Sequence, residues 1–310
     1  MLKKISILIA MMNFLLNNAI AENKYEIVIN VGNEIITNFD IQKETRYLLA
    51  LNPSLNNLSI KQIKEISKNS LIREKIKENE LIKYYKINYE NPELAKFTMG
   101  IYSKLNIRNE SEFKSYLSEF DLDIKEVIKK IAIERTWNRL IVEKFNNLIS
   151  VDELKIKEGL ENNQDKLQTQ TSFLISEILF QSNNDGEYQK IYNNIIKTIE
   201  ESSFKSAASI YSISDSSTNG GEIGWVNKNE ISNSIYDALS KLDVGEFTKP
   251  IKIVSGFLII YLNDLKQKEQ EINLEEELKK IIVAEKNRQL NEYSIIYFKK
   301  IEKQILINEK

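Results

Sequence analysis

The sequence predicts an α+β protein in which a mostly helical unit, built from both ends of the chain, is interrupted by a compact strand-and-helix domain. Three observations lead there. Residues 38–150 carry apolar positions at helical spacing, as in Ile63, Ile66, Ile72 and Ile76. From residue 171 the pattern changes to short β-branched and aromatic runs separated by amphipathic stretches. After residue 266 a charged helical pattern returns, and its apolar residues, among them Ile281, Ile282, Ile295 and Ile296, have no partner within that tail.

The elements follow in order. Lys3 and Lys4, an apolar run over residues 5–16 and the small-x-small site Ala19-Ile20-Ala21 have the pattern of a secretory signal peptide, residues 1–21, cut after Ala21. The run is shorter than the ~20 apolar residues of a membrane span, and no later stretch competes, so stable membrane insertion is not expected. "YEIVINVGNEIIT" reads as a hairpin about Gly32-Asn33, after which Thr37 or Asn38 caps a helix that begins near Phe39 and carries Asp40 in its first turn. "KEVIKKIAIERTWNRLIVEKF" puts Val127, Ile128, Ile131, Trp137 and Leu140 on or near one face, as a core stripe. A polar stretch, "NNQDKLQTQ", separates this helical unit, residues 22–165, from the strand-rich domain, residues 171–265. In that domain "SFLISEILF" is a strand, residues 187–200 and 203–211 are helices, 222–226 a strand and 229–242 a helix. Two strands then flank Ser255-Gly256. Residues 266–310 read as a charged helix ending in "ILIN", packed back on the N-terminal unit with residues 305–307 placed to join the hairpin.

Composition narrows the chemistry. With 43 basic and 45 acidic side chains interleaved along the chain, the net charge is −2 and no nucleic-acid footprint forms. There is no cysteine and no histidine, which removes disulfides, thiol nucleophiles, Ser-His-Asp catalysis, His-ligated zinc and any imidazole base. The acids are scattered over helix faces, so neither a metal site nor a cofactor is expected.

Four motifs, "SEILF", "GGEIGW", "ALSKLDVGEFTKPI" and "SGFLII", follow one another in an order and spacing that resembles a parvulin-type peptidyl-prolyl isomerase domain. The flanks, with "GNEIITNFDI" after the signal peptide and a helical C-terminus, resemble the SurA family of periplasmic chaperones, here with one parvulin domain instead of two. The resemblance implies an FKBP-like domain, a four-stranded antiparallel sheet with flanking helices, inserted into a helical chaperone domain. Its glycines fall on Gly220, Gly221, Gly224 and Gly256. Its substrate groove falls on Ile223, Ile231 and Ile235, with Trp225 and Phe257 as aromatic positions. The family's first histidine falls on Glu177 and its second on Leu258; Ser255 keeps the small hydroxyl, and the Cys/Asp position falls on Ser214 or Asp215, depending on a one-residue gap.

The resemblance implies a periplasmic chaperone that binds unfolded outer-membrane proteins on their way to the outer-membrane assembly machinery. Both family histidines are replaced, and a Leu side chain neither donates nor accepts a hydrogen bond, so the parvulin domain is expected to be weak or inactive in catalysis. Two other roles stay open on the sequence: an active cis-trans isomerase, and an assembly factor dedicated to one partner.

Overall fold

A computed structural model describes residues 25–161, 169–269 and 273–310. The segment read as a signal peptide and most of the polar boundary stretch lie outside the described residues. The fold is α+β, with a small three-stranded sheet in the helical unit and a four-stranded antiparallel sheet in the parvulin-like domain.

The hairpin β1 (Ile27–Val31) and β2 (Glu34–Thr37) turns at Gly32 and leads into α1 (Asn38–Leu51). Thr37 caps that helix: its hydroxyl accepts from the Asp40 N–H while the Asp40 carboxylate accepts from the Thr37 N–H, so two orphan donors are satisfied reciprocally. The same reciprocal cap, Ser59 with Gln62, starts α2 (Ile60–Leu81). Then follow α3 (Ala95–Lys104), α4 (Glu110–Glu119), α5 (Ile124–Phe145) and α6 (Glu153–Glu161).

The second unit begins with β3 (Thr169–Phe180), crosses α7 (Asp185–Glu201) and α8 (Phe204–Tyr211), and returns as β4 (Glu222–Asn227). After α9 (Asn233–Leu239) come β5 (Ile251–Ile253) and β6 (Gly256–Glu269), giving the sheet order β4-β3-β6-β5. Two local readings of the sequence need correction. The helix expected over 229–242 is broken, because Asn227 and Glu230 cap a short turn at Lys228–Glu230 and Ser232 then caps α9 through the Ile235 N–H. Lys266 and Gln267, read as helical, belong to β6: their backbone pairs with Ser172 and Thr171 of β3, and that ladder outweighs their polar side chains.

The chain closes with α10 (Leu274–Glu302) and β7 (Ile307–Glu309), which pairs with β1 through Asn30 opposite Asn308. One core binds both ends: Ile29, Val31 and Ile36 of the hairpin pack with Ile72 and Ile76 of α2, Ile133, Trp137 and Ile141 of α5, and Phe298 and Ile301 of α10. Trp137 is fully buried, stacks on Tyr297 with ring centroids 5.8 Å apart, and donates its indole N–H to Ser294 Oγ at 2.8 Å.

That bond predicts a coupled loss. Ser294→Ala leaves a buried indole N–H without an acceptor and should cost about 1–3 kcal/mol in urea unfolding. In a Trp137→Phe background the same substitution should be nearly neutral. An equal cost in both backgrounds would show that the bond contributes nothing to joining α10 to α5.

Candidate functional site

The site is organised by the two-residue alternation of β3 and β6. Phe173, Ile175 and Leu179 of β3 point to one face, where they pack with Leu258, Ile260 and Leu262 of β6 and with Leu239 of α9. Ile178 and Phe180 point to the other face, against Ile195 of α7 and Ala207 and Ala208 of α8. Glu177, opposite Ile260 in the ladder, shares the parity of the first set, so a carboxylate emerges on the apolar face that Leu258 also lines.

A loop folds over to meet that carboxylate. Ser214 Oγ donates to Glu177 Oε1 at 2.5 Å, Ser216 Oγ donates to the same oxygen at 3.0 Å, and the two hydroxyls lie 3.1 Å apart. The turn that follows explains the paired glycines. Gly220 and Gly221 have φ of 64° and 78°, and a Cβ on Gly221 would stand 2.3 Å from the carbonyl oxygen of Glu177. Bare backbone therefore passes beside β3, and the Glu177 N–H donates to the Gly221 carbonyl at 2.8 Å.

Between the two serines, Asp215 points away from the sheet. Its Oδ1 accepts from Arg73 at 2.7 Å and from Lys77 at 3.0 Å, both on α2, and Arg73 also donates to the Ile213 carbonyl at 3.1 Å. Lys77 is buried and has Glu134 of α5 as a second partner at 2.7 Å. Thus Ser214, not Asp215, meets Glu177.

These surroundings move the titrating groups in opposite directions. Burial pushes the Glu177 carboxyl above its ordinary value of 4.5; the two serine hydroxyls pull it part of the way back, and the negative charge of Asp215 adds to the rise. For Asp215 burial also acts upward, but Lys77 and Arg73 outweigh it and hold the carboxyl at about 2. Lys77 is raised: burial alone would lower it, and the carboxylates of Glu134 and Asp215 overcome that.

Of the remaining positions singled out in the sequence, Ile231 and Ile235 sit half-buried at the edge of the Glu177 face and form its wall with Ile213 and Tyr236. Two aromatic positions are not brought there. Phe257 has the opposite parity to Leu258 and packs on the far side of the sheet, stacked on Phe180 and against Tyr188. Trp225 pairs with Leu174, so it points away from the face of Val226 and Phe173, and Lys266 lies 3.9 Å above its ring. Ile223 is 43% exposed, beside a register shift in the β3–β4 ladder, and lies outside the cluster. Ser255 is buried at the β5–β6 turn, where its carbonyl accepts from Gln181; its hydroxyl has no hydrogen-bond partner among the described residues. Sequence reasoning missed Ser216, Arg73 and Lys77, and it expected Ile295 of α10 to pack on the N-terminal unit, whereas Ile295 joins the cluster on this face. Ser216 was within reach as a second hydroxyl in "SDSS"; Arg73 and Lys77 come from a distant segment with no local signal. Among the described residues no cluster of acids is placed to hold a metal.

The opposed shifts give a pH test. Unfolded Glu177 titrates near 4.5 and folded Glu177 higher, so the folded state binds the extra proton and wild-type stability falls as pH rises through that window. Glu177→Gln cannot titrate, and it should gain on the wild type as pH rises above 4.5 through the raised folded-state value. Asp215 works the other way: its contribution is present above 3.8 and is lost as pH falls towards about 2. Asp215→Asn should therefore lose its disadvantage only in that acid range. Urea midpoints across pH for the two variants decide it, and parallel curves for wild type and Glu177→Gln would refute the raised carboxyl.

Residues 173–264 match the rotamase family of PPIC-type PPIase domains. The chaperone SurA of Pseudomonas putida is 25% identical over 177 residues, covering 54% of this chain; the chain spans 40% of that protein's length. The foldase protein PrsA of Geobacillus kaustophilus is 25% identical over 219 residues, 70% of this chain and 69% of the foldase. A solved SurA-like chaperone of Campylobacter jejuni is 19% identical, with 92% of this chain and 98% of that one covered and a TM-score of 0.35. The apolar sheet face, the glycine turn beside β3 and the loop that closes on Glu177 thus lie within the residues that match the PPIC-type PPIase family, in a chain that is similar over 177 residues to the chaperone SurA.

Proposed function

We propose that this protein is a periplasmic holding chaperone for unfolded outer-membrane proteins, whose parvulin-type domain binds polypeptide without appreciably accelerating X-Pro rotation. The observation that carries the reading is the pair Glu177 and Leu258. Where the family resemblance places two imidazoles, one position is a carboxylate already engaged by two serines and the other is 7% exposed within an apolar cluster. Rotating an X-Pro amide crosses a barrier near ~20 kcal/mol. Lowering it requires interactions stronger in the twisted state than in the planar one, and Leu258 supplies no polar group for that.

Binding asks for less. Buried apolar area contributes ~25 cal/mol per Å² whatever the sequence of the client, and chains bound for an outer-membrane barrel alternate apolar and polar residues. The helical unit offers matching surface: Ile82, Tyr84, Tyr85, Ile87 and Tyr89 line one shallow depression, in which Ile82 is 62% and Tyr84 50% exposed. Arg139 and Lys144 stack over Tyr85 and Tyr84, so the aromatic faces sit beside cations that can meet client carboxylates. Among the described residues no helix is long and apolar enough to cross a membrane. The relatives named SurA, the periplasmic chaperone PpiD and the foldase PrsA support a role on polypeptides outside the cytoplasm.

The test combines two assays on one preparation. A short X-Pro peptide should isomerise at close to its uncatalysed rate, while aggregation of an unfolded β-barrel protein should be suppressed at near-stoichiometric ratio. Glu177→His with Leu258→His should raise the isomerase rate without weakening suppression. Robust turnover by the natural sequence at neutral pH would promote the enzyme over the chaperone, and failure to suppress aggregation of several unrelated barrels would favour a dedicated partner.

A further inference from the structure

We infer that the depression around Tyr84 in the helical unit selects by charge. It takes extended client segments in which an apolar or aromatic side chain lies next to a carboxylate, and it turns away segments in which that neighbour is Lys or Arg. The inference rests on the chaperone reading and names a class of client within it.

Three observations carry it. Apart from Asn88, residues 82–89 line the depression: two isoleucines, three tyrosines, Lys83 and Lys86, with no acid among them. Next, the acids around its rim are already engaged. Glu143 accepts from the Tyr85 hydroxyl at 2.5 Å and lies 3.4 Å from Arg139. Glu80 is 4% exposed and accepts from Lys83 at 2.6 Å and from the Tyr297 hydroxyl. Glu78 accepts from the Tyr89 hydroxyl at 2.7 Å and from Lys75 at 3.4 Å. Last, two cations are left over. Lys144 donates to the Tyr84 hydroxyl at 3.3 Å, with its ammonium 4.7 Å from the ring centroid. Neither Lys144 nor Lys86, both exposed, pairs with a carboxylate among the described residues. Around Tyr84, Lys83, Lys86, Arg139 and Lys144 therefore stand against Glu80 and Glu143 alone, a surplus of two positive charges.

Burial against Ile82 and Tyr84 is indifferent to charge and holds any apolar side chain. The surplus discriminates among them. A client carboxylate beside that side chain meets Lys86 or Lys144 without unpairing any acid of the protein. A client Lys or Arg meets like charge there, unless it draws Glu80 or Glu143 from partners they already have. The field of the whole molecule opposes this preference, because the chain carries a net charge of −2. Tighter binding of acidic segments is thus the mark of a local patch and not of general steering.

The test is fluorescence anisotropy on the full chain with three labelled, unstructured peptides, identical except that the residues flanking one Trp are Glu, Gln or Lys. At low ionic strength the Glu peptide should bind about tenfold more tightly than the Lys peptide, with Gln between them, since each exposed ion pair changes affinity by up to about fivefold. The gap should close in about 0.5 M salt. Lys86→Glu with Lys144→Glu should invert the order and leave the Gln peptide nearly unchanged, whereas Ile82→Ser should weaken all three alike. Should the double variant fail to fold, Lys86→Glu alone must narrow the gap. Equal affinity for the Glu and Lys peptides, both weakened by Ile82→Ser, overturns the charge selection and leaves the chaperone reading standing. Failure of all three peptides to bind, or binding that ignores Ile82→Ser, removes the depression as a client surface and the inference with it. Phosphatidylglycerol vesicles bound in place of peptide, and released by the charge-reversed variant, would assign the patch to an anionic membrane surface and overturn the proposal.

Discussion

One buried ammonium governs how the two halves of this molecule meet. Lys77 is cut off from water and lies 5.5 Å from the centroid of the Trp137 ring, so its charge must be met by protein. An isolated ion of this kind costs several kcal/mol to desolvate. Glu134 balances it from within the helical unit, and Asp215 reaches in from the parvulin-type domain to share the load with Arg73. Two cations and two carboxylates then close a neutral group across the seam. Such a group adds little net stability over apolar packing, but it penalises every arrangement in which one partner is missing. It sets where the domain docks more than how tightly.

The docking point matters because it lies on the loop that makes Glu177 tolerable. On β3 every second side chain enters the apolar face, and the parity that sends Phe173, Ile175 and Leu179 inward sends Glu177 with them. A carboxylate there needs donors. The backbone supplies none on that face, so the "SDSS" segment must come to it, and the close approach of Gly221 to β3 is what brings the loop within reach. The glycine turn, the serine pair and the ion pairs to α2 are three parts of one solution to a charge in an apolar place.

Much of this was legible in the sequence, and what was not had a common cause. The α+β class and the hairpin at Gly32 follow from period, turn residues and β-branched runs, all local signals, and the four-stranded sheet from the resemblance to parvulins. Glu177 could be placed by motif, and the neighbouring position only as Ser214 or Asp215. Phe257 and Trp225 were misplaced because a motif gives position along a strand, whereas the face is fixed by parity against the partner strand. Lys266 and Gln267 looked helical because their polar side chains say nothing of the backbone ladder to β3 that holds them. Arg73 and Lys77 were invisible for a deeper reason. An Arg and a Lys four apart on a helix describe any solvated face, and only the folded chain reveals that a carboxylate from 138 residues away closes on them.

On the proposed function, the same network that stabilises Glu177 gives a physical reason for this face to hold a chain rather than turn one. Ser214 and Ser216 both direct their hydroxyl protons at the same Glu177 oxygen. While Glu177 is ionised those protons are committed to it, and neither can be offered to a twisting amide without leaving a carboxylate unsatisfied in an apolar setting. An imidazole would donate on one edge and accept on the other; a carboxylate only accepts. Protonating Glu177 would release one acceptor demand and add a donor, but its Asp215 neighbour stays charged far into acid and keeps the loop pinned to α2. The two hydroxyls that face Glu177 are therefore engaged within the protein itself while it is ionised.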